Sequence, residues 1–116
     1  MRIRRGDVYW LRLPQPGQTD AARHPYVVVQ DDCFNASRID TVVVCGLTTN
    51  MSHAKQPGNV LLEAGEAALP RPSVIIVSNI ASVGKNQLTE YIGTLPERRV
   101  DQVLAGLRQL QRIFEG

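Results

Sequence analysis

Short runs of β-branched, aliphatic and aromatic residues fill most of the chain as far as position 95, and prolines, glycines, asparagines and aspartates separate them. The β-branched and aromatic residues favour strands, and the prolines, glycines, asparagines and aspartates favour turns. The pattern therefore predicts strands over residues 7–13, 26–30, 41–47, 59–63, 73–78 and 91–95. It also predicts that residues 81–83 continue the fifth strand past a bend and that 85–88 form a short helical turn.

The hydrophobic period changes after Pro96, where apolar residues recur at the spacing of a helix. The apolar positions of this segment are Val100, Val103, Leu104, Leu107, Leu110 and Phe114. Charged residues occupy the other face, and a proline suits the first turn of such a helix. Closely spaced strands followed by one helix predict a mainly β fold with a C-terminal helix, arranged as a small antiparallel β-barrel that the helix caps.

Length and composition fit one ordered domain over residues 1–116. A chain of 116 residues with 43% hydrophobic and 21% charged residues can bury one hydrophobic core, and it contains no internal repeat. The net charge of +2 permits a polyanionic partner without requiring one. Because six arginines and Lys55 lie in the first half whereas all the glutamates lie in the second, the pattern indicates either a basic face or an ordinary solvated surface.

The N-terminal segment does not have the pattern of an export signal, since Gly6 and Asp7, rather than an apolar run, follow the basic residues 1–5. No apolar run approaches the roughly 20 residues that cross a bilayer. The two cysteines, Cys33 and Cys45, lack the spacing of metal ligands, and we expect both to be reduced. These features predict a soluble, cytoplasmic protein that has no contact with a membrane and uses no cofactor.

Two polar loops at the ends of predicted buried strands contain the residues best suited to chemistry. One contains Arg23 and His24, and the other contains Thr48, Thr49 and Asn50. The chain has no glycine-rich phosphate loop and no G-x-S-x-G motif, and neither histidine has a metal-ligand partner three or four residues away. The sequence therefore indicates chemistry without a metal ion.

Cleavage of RNA is a reaction that such residues can perform, because RNA supplies its own nucleophile, the 2′-hydroxyl. Arg23 would hold phosphate oxygens, His24 would exchange a proton, and Thr48 would hydrogen-bond the reacting phosphate. Each residue also has an ordinary structural explanation. Arg23 can be a solvated loop charge, His24 a surface residue packed on Pro25, and Thr48 a turn former at a strand end. Both interpretations stay open at this point.

The order of the segments resembles the MazF/PemK family of toxin mRNA interferases over nearly the whole chain. The matching segments are residues 5–10, 24–32 with Asn35, 41–49, 57–60, 73–78 and 92–95. The resemblance implies an SH3-like barrel of the MazF/CcdB kind, a homodimer, and metal-independent cleavage of single-stranded mRNA at short specific sequences to 2′,3′-cyclic phosphate and 5′-hydroxyl ends. It also implies an acidic, partly disordered antitoxin as partner, with any DNA contact arising only through the antitoxin complex.

The resemblance further implies a catalytic arginine beside the proline that opens the second strand and a catalytic threonine where the third strand ends. Thr48 matches the threonine. His24, however, stands next to Pro25, and Arg23 is one position earlier. Because successive strand residues face opposite ways, either Arg23 swings into the site or His24 replaces the arginine. The predicted catalytic residues are therefore Arg23, His24 and Thr48.

The predicted RNA-binding residues are Gln18, Thr19, Thr49, Asn50, Lys55 and Asn79. Thr19 stands where the family often has a glutamate, and Asn79 where it often has a glutamine. A rival hypothesis is a non-catalytic toxin that acts by protein contact, as CcdB does. A third is an RNA-binding regulator that has lost turnover through the change at His24.

Overall fold

The computed structural model describes residues 2–14 and 22–112. The strands are β1 (Asp7–Arg12), β2 (Arg23–Val28), β3 (Thr41–Thr48), β4 (Val60–Leu62), β5 (Ser73–Gly84) and β6 (Glu90–Thr94). The α-helices of the described part are α1 (Asp32–Asn35) and α2 (Glu97–Gln111). Short 3-10 helices cover Met51–Lys55, Glu66–Ala68 and Lys85–Gln87.

The strands form a curled antiparallel sheet in the order β4-β5-β3-β2-β1-β6. The register of β3 against β5 is interrupted between Cys45 and Leu47, whose partners are Ile80 and Ile75. One residue of β3 therefore faces the four residues 76–79 of β5, and such an irregularity bends a strand. This bend lies close to the one that the sequence predicts. The mainly β fold with a C-terminal helix is confirmed.

Both faces of the central strands are buried, because neighbouring residues along each strand enter two different cores. Val8, Val27 and Cys45 belong to a core that packs against α2, whereas Tyr9 and Tyr26 belong to a core on the opposite face. Alternate residues of a strand point to opposite faces, so a strand buried on both sides is apolar without interruption. This arrangement explains the unbroken apolar run of residues 26–29, which forms the last half of β2 and continues one residue past it.

Strand β2 begins at Arg23, three residues before the start that the sequence predicts, and it includes Pro25. Arg23 and His24 pair with the last residues of β1. Strand β3 pairs with β2 only at residues 26–28, so Pro25 lies on an edge, where its missing N–H is tolerated. The prediction that Arg23 and His24 lie in a loop is therefore wrong, because both belong to a strand.

Helix α2 begins directly after Pro96, which occupies the N-cap position, and its start agrees with the sequence. The predicted core position Phe114 lies outside the described residues. The 3-10 helix Lys85–Gln87 matches the predicted helical turn, whereas the other 3-10 helices and α1 occupy predicted loops and turns. Within the part of the chain that the structure describes, no helix combines the length and apolar character needed to cross a membrane.

Two glycines allow segments of backbone to touch. A Cβ on Gly93 of β6 would lie 2.3 Å from the carbonyl oxygen of Ala67, and one on Gly106 of α2 would lie 2.2 Å from that of Gly58. Only glycine fits at such distances. The first contact brings the segment after β4 against β6, at the opposite edge of the sheet. The second seats α2 on the turn before β4.

Candidate active site

A cleft of about 330 Å³ opens at the end of the sheet where β2 begins and β3 ends. The lining residues are Trp10, Arg23, His24, Pro25, Leu47, Thr48, Thr49, Leu69, Pro70, Arg71 and Ser73. They come from the ends of β1, β2 and β3 and from the segment that leads into β5. The cleft therefore brings Arg23, His24 and Thr48 together.

Arg23 lies between an aromatic ring and a carboxylate. Its guanidinium carbon is 4.5 Å from the centroid of the Trp10 ring, and its Nη1 forms an ion pair with Oε2 of Glu90. Trp10 of β1 pairs with Pro25 of β2 on one side and with Glu90 of β6 on the other. The three neighbouring strands therefore place the side chains of Pro25, Trp10 and Glu90 in a row. The cation–π contact and the ion pair together hold the Arg23 side chain at the wall of the cleft.

Thr48 is the last residue of β3, and its half-buried side chain faces the cleft beside the exposed Thr49. The Thr48 hydroxyl oxygen accepts a hydrogen bond from the backbone N–H of Asn50 at 3.1 Å. This bond orients the side chain and leaves the hydroxyl proton free to be donated. Thr48 can therefore donate a hydrogen bond to an anion in the cleft.

His24 is half-buried and lines the same cleft. Its backbone pairs with Leu11, whereas Arg23 pairs with Arg12, so the two side chains leave β2 on opposite faces. Both reach the cleft because it surrounds the first residues of the strand. Arg23 stands one position before the place of the family arginine, which His24 occupies, and both residues line the cleft.

Arg71 is a second arginine of the cleft, and the sequence analysis does not single it out. It stands between Pro70 and Pro72, in a segment that the sequence predicts as a loop. Because Val74 pairs with Thr48, this segment lies beside the end of β3. An arginine between two prolines directly before a strand is the signal that could have identified it.

Two of the predicted RNA-binding residues lie at the two ends of the neighbouring 3-10 helix Met51–Lys55 rather than in the cleft. Asn50 caps this helix, since its side-chain oxygen accepts a hydrogen bond from the backbone N–H of Ser52 at 3.1 Å. Lys55 is the exposed last residue of the helix. Neither side chain lines the cleft, although both lie a few residues from Thr49, which does.

The other predicted RNA-binding residues are also absent from the described wall of the cleft. Asn79 lies at the bend of β5, where its side chain covers Gly46 so closely that a Cβ there would be 2.2 Å from Asn79 Nδ2. Gln18 and Thr19 lie outside the described residues. For these three positions, RNA binding stays a prediction.

The groups with displaced pKa values among the described residues lie outside the cleft. Burial raises the pKa of the Cys45 thiol to about 12, and burial together with the nearby Asp7 carboxylate raises the pKa of Tyr9. Hydrogen bonds from Arg99 lower the pKa of Glu66. Of the two cysteines, Cys33 is exposed and Cys45 is buried.

The chemistry of the cleft suits an anion. Two guanidinium groups, an imidazole and a hydroxyl converge there, and the arginine fork matches the oxygens of a phosphate. Within residues 2–14 and 22–112, no group of three or more histidine, cysteine or acidic side chains gathers in a way that could hold a metal ion. These side chains can bind a phosphate, donate hydrogen bonds to it and exchange a proton beside it.

The fold and the sequence together identify the class of protein. The chain belongs to the family of PemK-like, MazF-like toxins of type II toxin-antitoxin systems, whose sequence profile matches residues 4–111. This match confirms the resemblance that the sequence shows.

Among its relatives, endoribonuclease MazF6 of Mycobacterium tuberculosis is 40% identical over 111 residues, which are 95% of this chain and 97% of that protein. Endoribonuclease EndoA of Bacillus subtilis is 33% identical over 104 residues, or 89% of each chain.

Solved structures of similar proteins share the fold. An endoribonuclease in complex with its cognate antitoxin, from a mycobacterial species, has a TM-score of 0.77 at 21% identity and covers 97% of this chain and 99% of that chain. MazF from Deinococcus radiodurans has a TM-score of 0.73 at 20% identity, with 95% and 96% covered. These similarities establish the curled antiparallel sheet with its C-terminal helix.

Proposed function

We propose that this chain is the toxin of a toxin-antitoxin pair and an endoribonuclease that cuts single-stranded RNA in the cytoplasm. The observation that carries the proposal is the convergence of Arg23, His24 and Thr48 on one cleft. The chain is also 40% identical, over nearly its whole length, to a protein named as an endoribonuclease. The three side chains supply what phosphodiester cleavage by a 2′-hydroxyl requires.

In the proposed reaction the 2′-hydroxyl oxygen attacks the adjacent phosphorus, and the bond between phosphorus and the 5′-oxygen breaks. The products are a 2′,3′-cyclic phosphate and a 5′-hydroxyl, so neither water nor a metal ion enters the balance. His24 accepts the proton of the 2′-hydroxyl and releases it to solvent, and the leaving 5′-oxygen takes a proton from solvent, so the protons balance. His24 thereby occupies the place of the family arginine beside Pro25.

Charge develops on the phosphate oxygens as the nucleophile attacks, and the cleft stabilises it. Arg23 directs two N–H groups of its guanidinium to these oxygens, and the Thr48 hydroxyl donates a further hydrogen bond. In the free protein Arg23 is bound to Glu90 and stacked on Trp10, so the phosphate displaces a carboxylate when RNA binds. The Trp10 ring then remains available to the base next to the cut.

The proposal includes a protein partner. A cleft with two arginines that accepts RNA also suits an acidic, partly disordered antitoxin segment that folds on binding. Substrate and antitoxin would then exclude each other. Any contact with DNA would arise through that complex.

The proposal also includes a homodimer, and an apolar groove away from the cleft supports it. The groove has a volume of about 610 Å³ and lies between α2, the bend of β5, and α1 with the segment that follows it. Phe34, Ile39 and Ile80 at its surface are 54%, 45% and 42% exposed. Apolar side chains clustered on a surface in this way mark an interaction site, and we assign a second copy of this chain to it.

The test is incubation of the purified protein with a long single-stranded RNA in EDTA, followed by mapping of the cut ends. We expect discrete cuts with 2′,3′-cyclic phosphate and 5′-hydroxyl ends. The variants Arg23→Gln, His24→Gln and Thr48→Val should each lower the cleavage rate by about 100-fold or more, with the fold intact by circular dichroism. Arg12→Gln and Thr89→Val, at exposed positions outside the cleft, are the matched controls.

Two results would contradict the proposal. Intact RNA at high protein concentration would favour a non-catalytic toxin that acts by protein contact, as CcdB does. Full activity in all three cleft variants would place the chemistry elsewhere in the protein.

A further inference from the structure

The proposed reaction assigns a role to Arg23 but none to Arg71, the second arginine that lines the cleft. We propose that Arg71 binds an RNA phosphate next to the reacting one, so that it positions the strand for cleavage without touching the reacting atoms. This inference rests on the proposed endoribonuclease function and assigns a substrate contact at the same cleft. Three properties of Arg71 support it, namely its position beside the end of β3, the rigidity of its backbone and the availability of its charge.

The pairing of the strands places Arg71 at the exit of β3. Val74 of β5 pairs with Thr48, and β5 begins one residue earlier, at Ser73. Continued along the antiparallel pair, this register carries the segment before Ser73 past Thr49 and the residues that follow it. Arg71 therefore lies beyond Thr48 at the wall of the cleft, where it can contact a phosphate next to one bound at Thr48.

The backbone around Arg71 is held in place. Pro70 precedes it with a fixed φ, and Pro72 follows it and restricts Arg71 itself to extended conformations. Leu69 is only 3% exposed, and the Ser73 hydroxyl donates a hydrogen bond to the carbonyl oxygen of Arg71 at 3.1 Å. A side chain presented from a rigid backbone loses less conformational entropy on binding.

The charge of Arg71 is available, in contrast to that of other arginines. Arg23 is paired with Glu90, Arg5 with Asp31, and Arg99 with Glu66. Within the described residues, the guanidinium of Arg71 has neither an ion pair nor a hydrogen bond, and it is exposed at the wall of the cleft. A phosphate can bind there without first displacing a carboxylate.

The chemistry of the contact is a fork of two N–H donors on two phosphate oxygens, which a guanidinium makes and an ammonium does not. A contact of this kind binds ground state and transition state equally, because the neighbouring phosphate does not change during the reaction. Loss of Arg71 should therefore raise KM and leave kcat nearly unchanged. Replacement of Arg23 or Thr48 should have the opposite effect, lowering kcat and leaving KM nearly unchanged.

The experiment compares wild type with Arg71→Ala, Arg71→Lys and the control Arg38→Ala, an exposed arginine outside the cleft. Binding is measured with an RNA that carries a 2′-deoxyribose at the mapped cut site, over a series of salt concentrations. Arg71→Ala should weaken binding about tenfold, and the slope of log affinity against log salt should become shallower by about 0.7, the value for one phosphate of a single strand. Arg71→Lys should keep the slope and recover part of the affinity.

Cleavage of the all-ribose RNA completes the test. With Arg71→Ala, KM should rise about tenfold, while kcat stays within about twofold of wild type. An affinity and salt slope equal to those of Arg38→Ala would overturn the inference. A loss in kcat at unchanged KM would overturn it too, because Arg71 would then act on the reacting phosphate. If wild type neither binds the deoxy RNA nor cuts the all-ribose RNA, it is the proposed function itself that fails.

Discussion

Glu90 binds the guanidinium of Arg23 in an ion pair while the Trp10 ring lies against the same group at 4.5 Å. The side chains of Arg23 and Glu90 are 41% and 51% exposed, so the pair contributes only about 0.2–1 kcal/mol. A phosphate presents the same kind of charged oxygens and can take the place of the carboxylate. In the proposed reaction, Glu90 is therefore a weakly held partner that the RNA phosphate displaces from Arg23.

Replacing Glu90 with glutamine should strengthen RNA binding, because the phosphate would no longer compete with a carboxylate for Arg23. From the strength of an exposed ion pair we expect a gain of about 1.4- to fivefold in affinity for the uncleavable deoxy RNA. Glu97→Gln, at an exposed position of α2, is the control for the change in net charge. Weaker binding in Glu90→Gln would mean that Glu90 orients Arg23 rather than competing for it.

Replacing Ile80 with aspartate should disrupt the homodimer, since it would place a charge in the apolar groove. We expect light scattering after gel filtration to report a monomer for Ile80→Asp at micromolar concentrations at which wild type is a dimer. Leu61→Asp is the matched control, because Leu61 is equally exposed, at 46%, but lies on the edge strand β4 outside the groove. Equal masses for wild type and Ile80→Asp would mean that the groove is not the dimer interface.

The stability of the fold should fall in acid through Glu66. Its carboxylate accepts two hydrogen bonds from Arg99, each at 2.9 Å, and one from the backbone N–H of Glu63 at 2.7 Å. The hydrogen bonds from Arg99 hold the pKa of Glu66 below its ordinary value of 4.5. A depressed pKa in the folded state contributes stability above pH 4.5 that is lost as the pH falls through the folded value.

Urea unfolding at pH 7 and at about pH 3 tests this expectation. Glu66→Gln should be less stable than wild type at pH 7 by about 1–3 kcal/mol, because Arg99 loses its partner. It should also lose less stability than wild type between the two pH values. Asp101→Asn, at an exposed position of α2, should leave both properties unchanged, and a pH dependence of Glu66→Gln equal to wild type would contradict the assignment.

Replacing Gly106 with alanine should destabilise the protein even though alanine favours helices. The gain in helix propensity is about 1 kcal/mol, but the new Cβ would lie 2.2 Å from the carbonyl oxygen of Gly58. Because both atoms belong to backbone-anchored groups, α2 must move, at a net cost of about 1–3 kcal/mol. Ala105→Gly measures the propensity alone, and thermal or urea unfolding compares the two. A more stable Gly106→Ala would show that α2 does not rest on the turn before β4.

The hydrophobic pattern predicts most of the fold because the strands are short, apolar and separated by turn residues. It misplaces the start of β2, since the extension through Arg23 depends on pairing with the far end of β1 rather than on local propensity. It also misses the helical turns inside loops, such as Met51–Lys55, which side-chain caps like that of Asn50 stabilise. Hydrophobic periodicity carries no signal for such features.

The cleft is predictable only in part, for a similar reason. Thr48 can be found from the sequence because it ends a strand that the hydrophobic pattern predicts. Arg23 and His24 can be found because Pro25 follows them directly. The place of Arg71 depends on the pairing of Val74 with Thr48, two residues 26 positions apart. Such a register follows from the assembled sheet and cannot be read from the segment around Arg71.

The order of strands also has a consequence for synthesis on the ribosome. Strand β1 has β6 as its outer neighbour, so that Asp7 pairs with Thr94. At translation rates of about 5–20 residues per second, roughly 4–17 s separate the appearance of these two residues. During that interval a nascent chain has a bare edge at β1 and an Arg23 without Glu90. Because the described residues that line the cleft all precede position 74, the carboxylate that occupies Arg23 is the last part of the site to be synthesised.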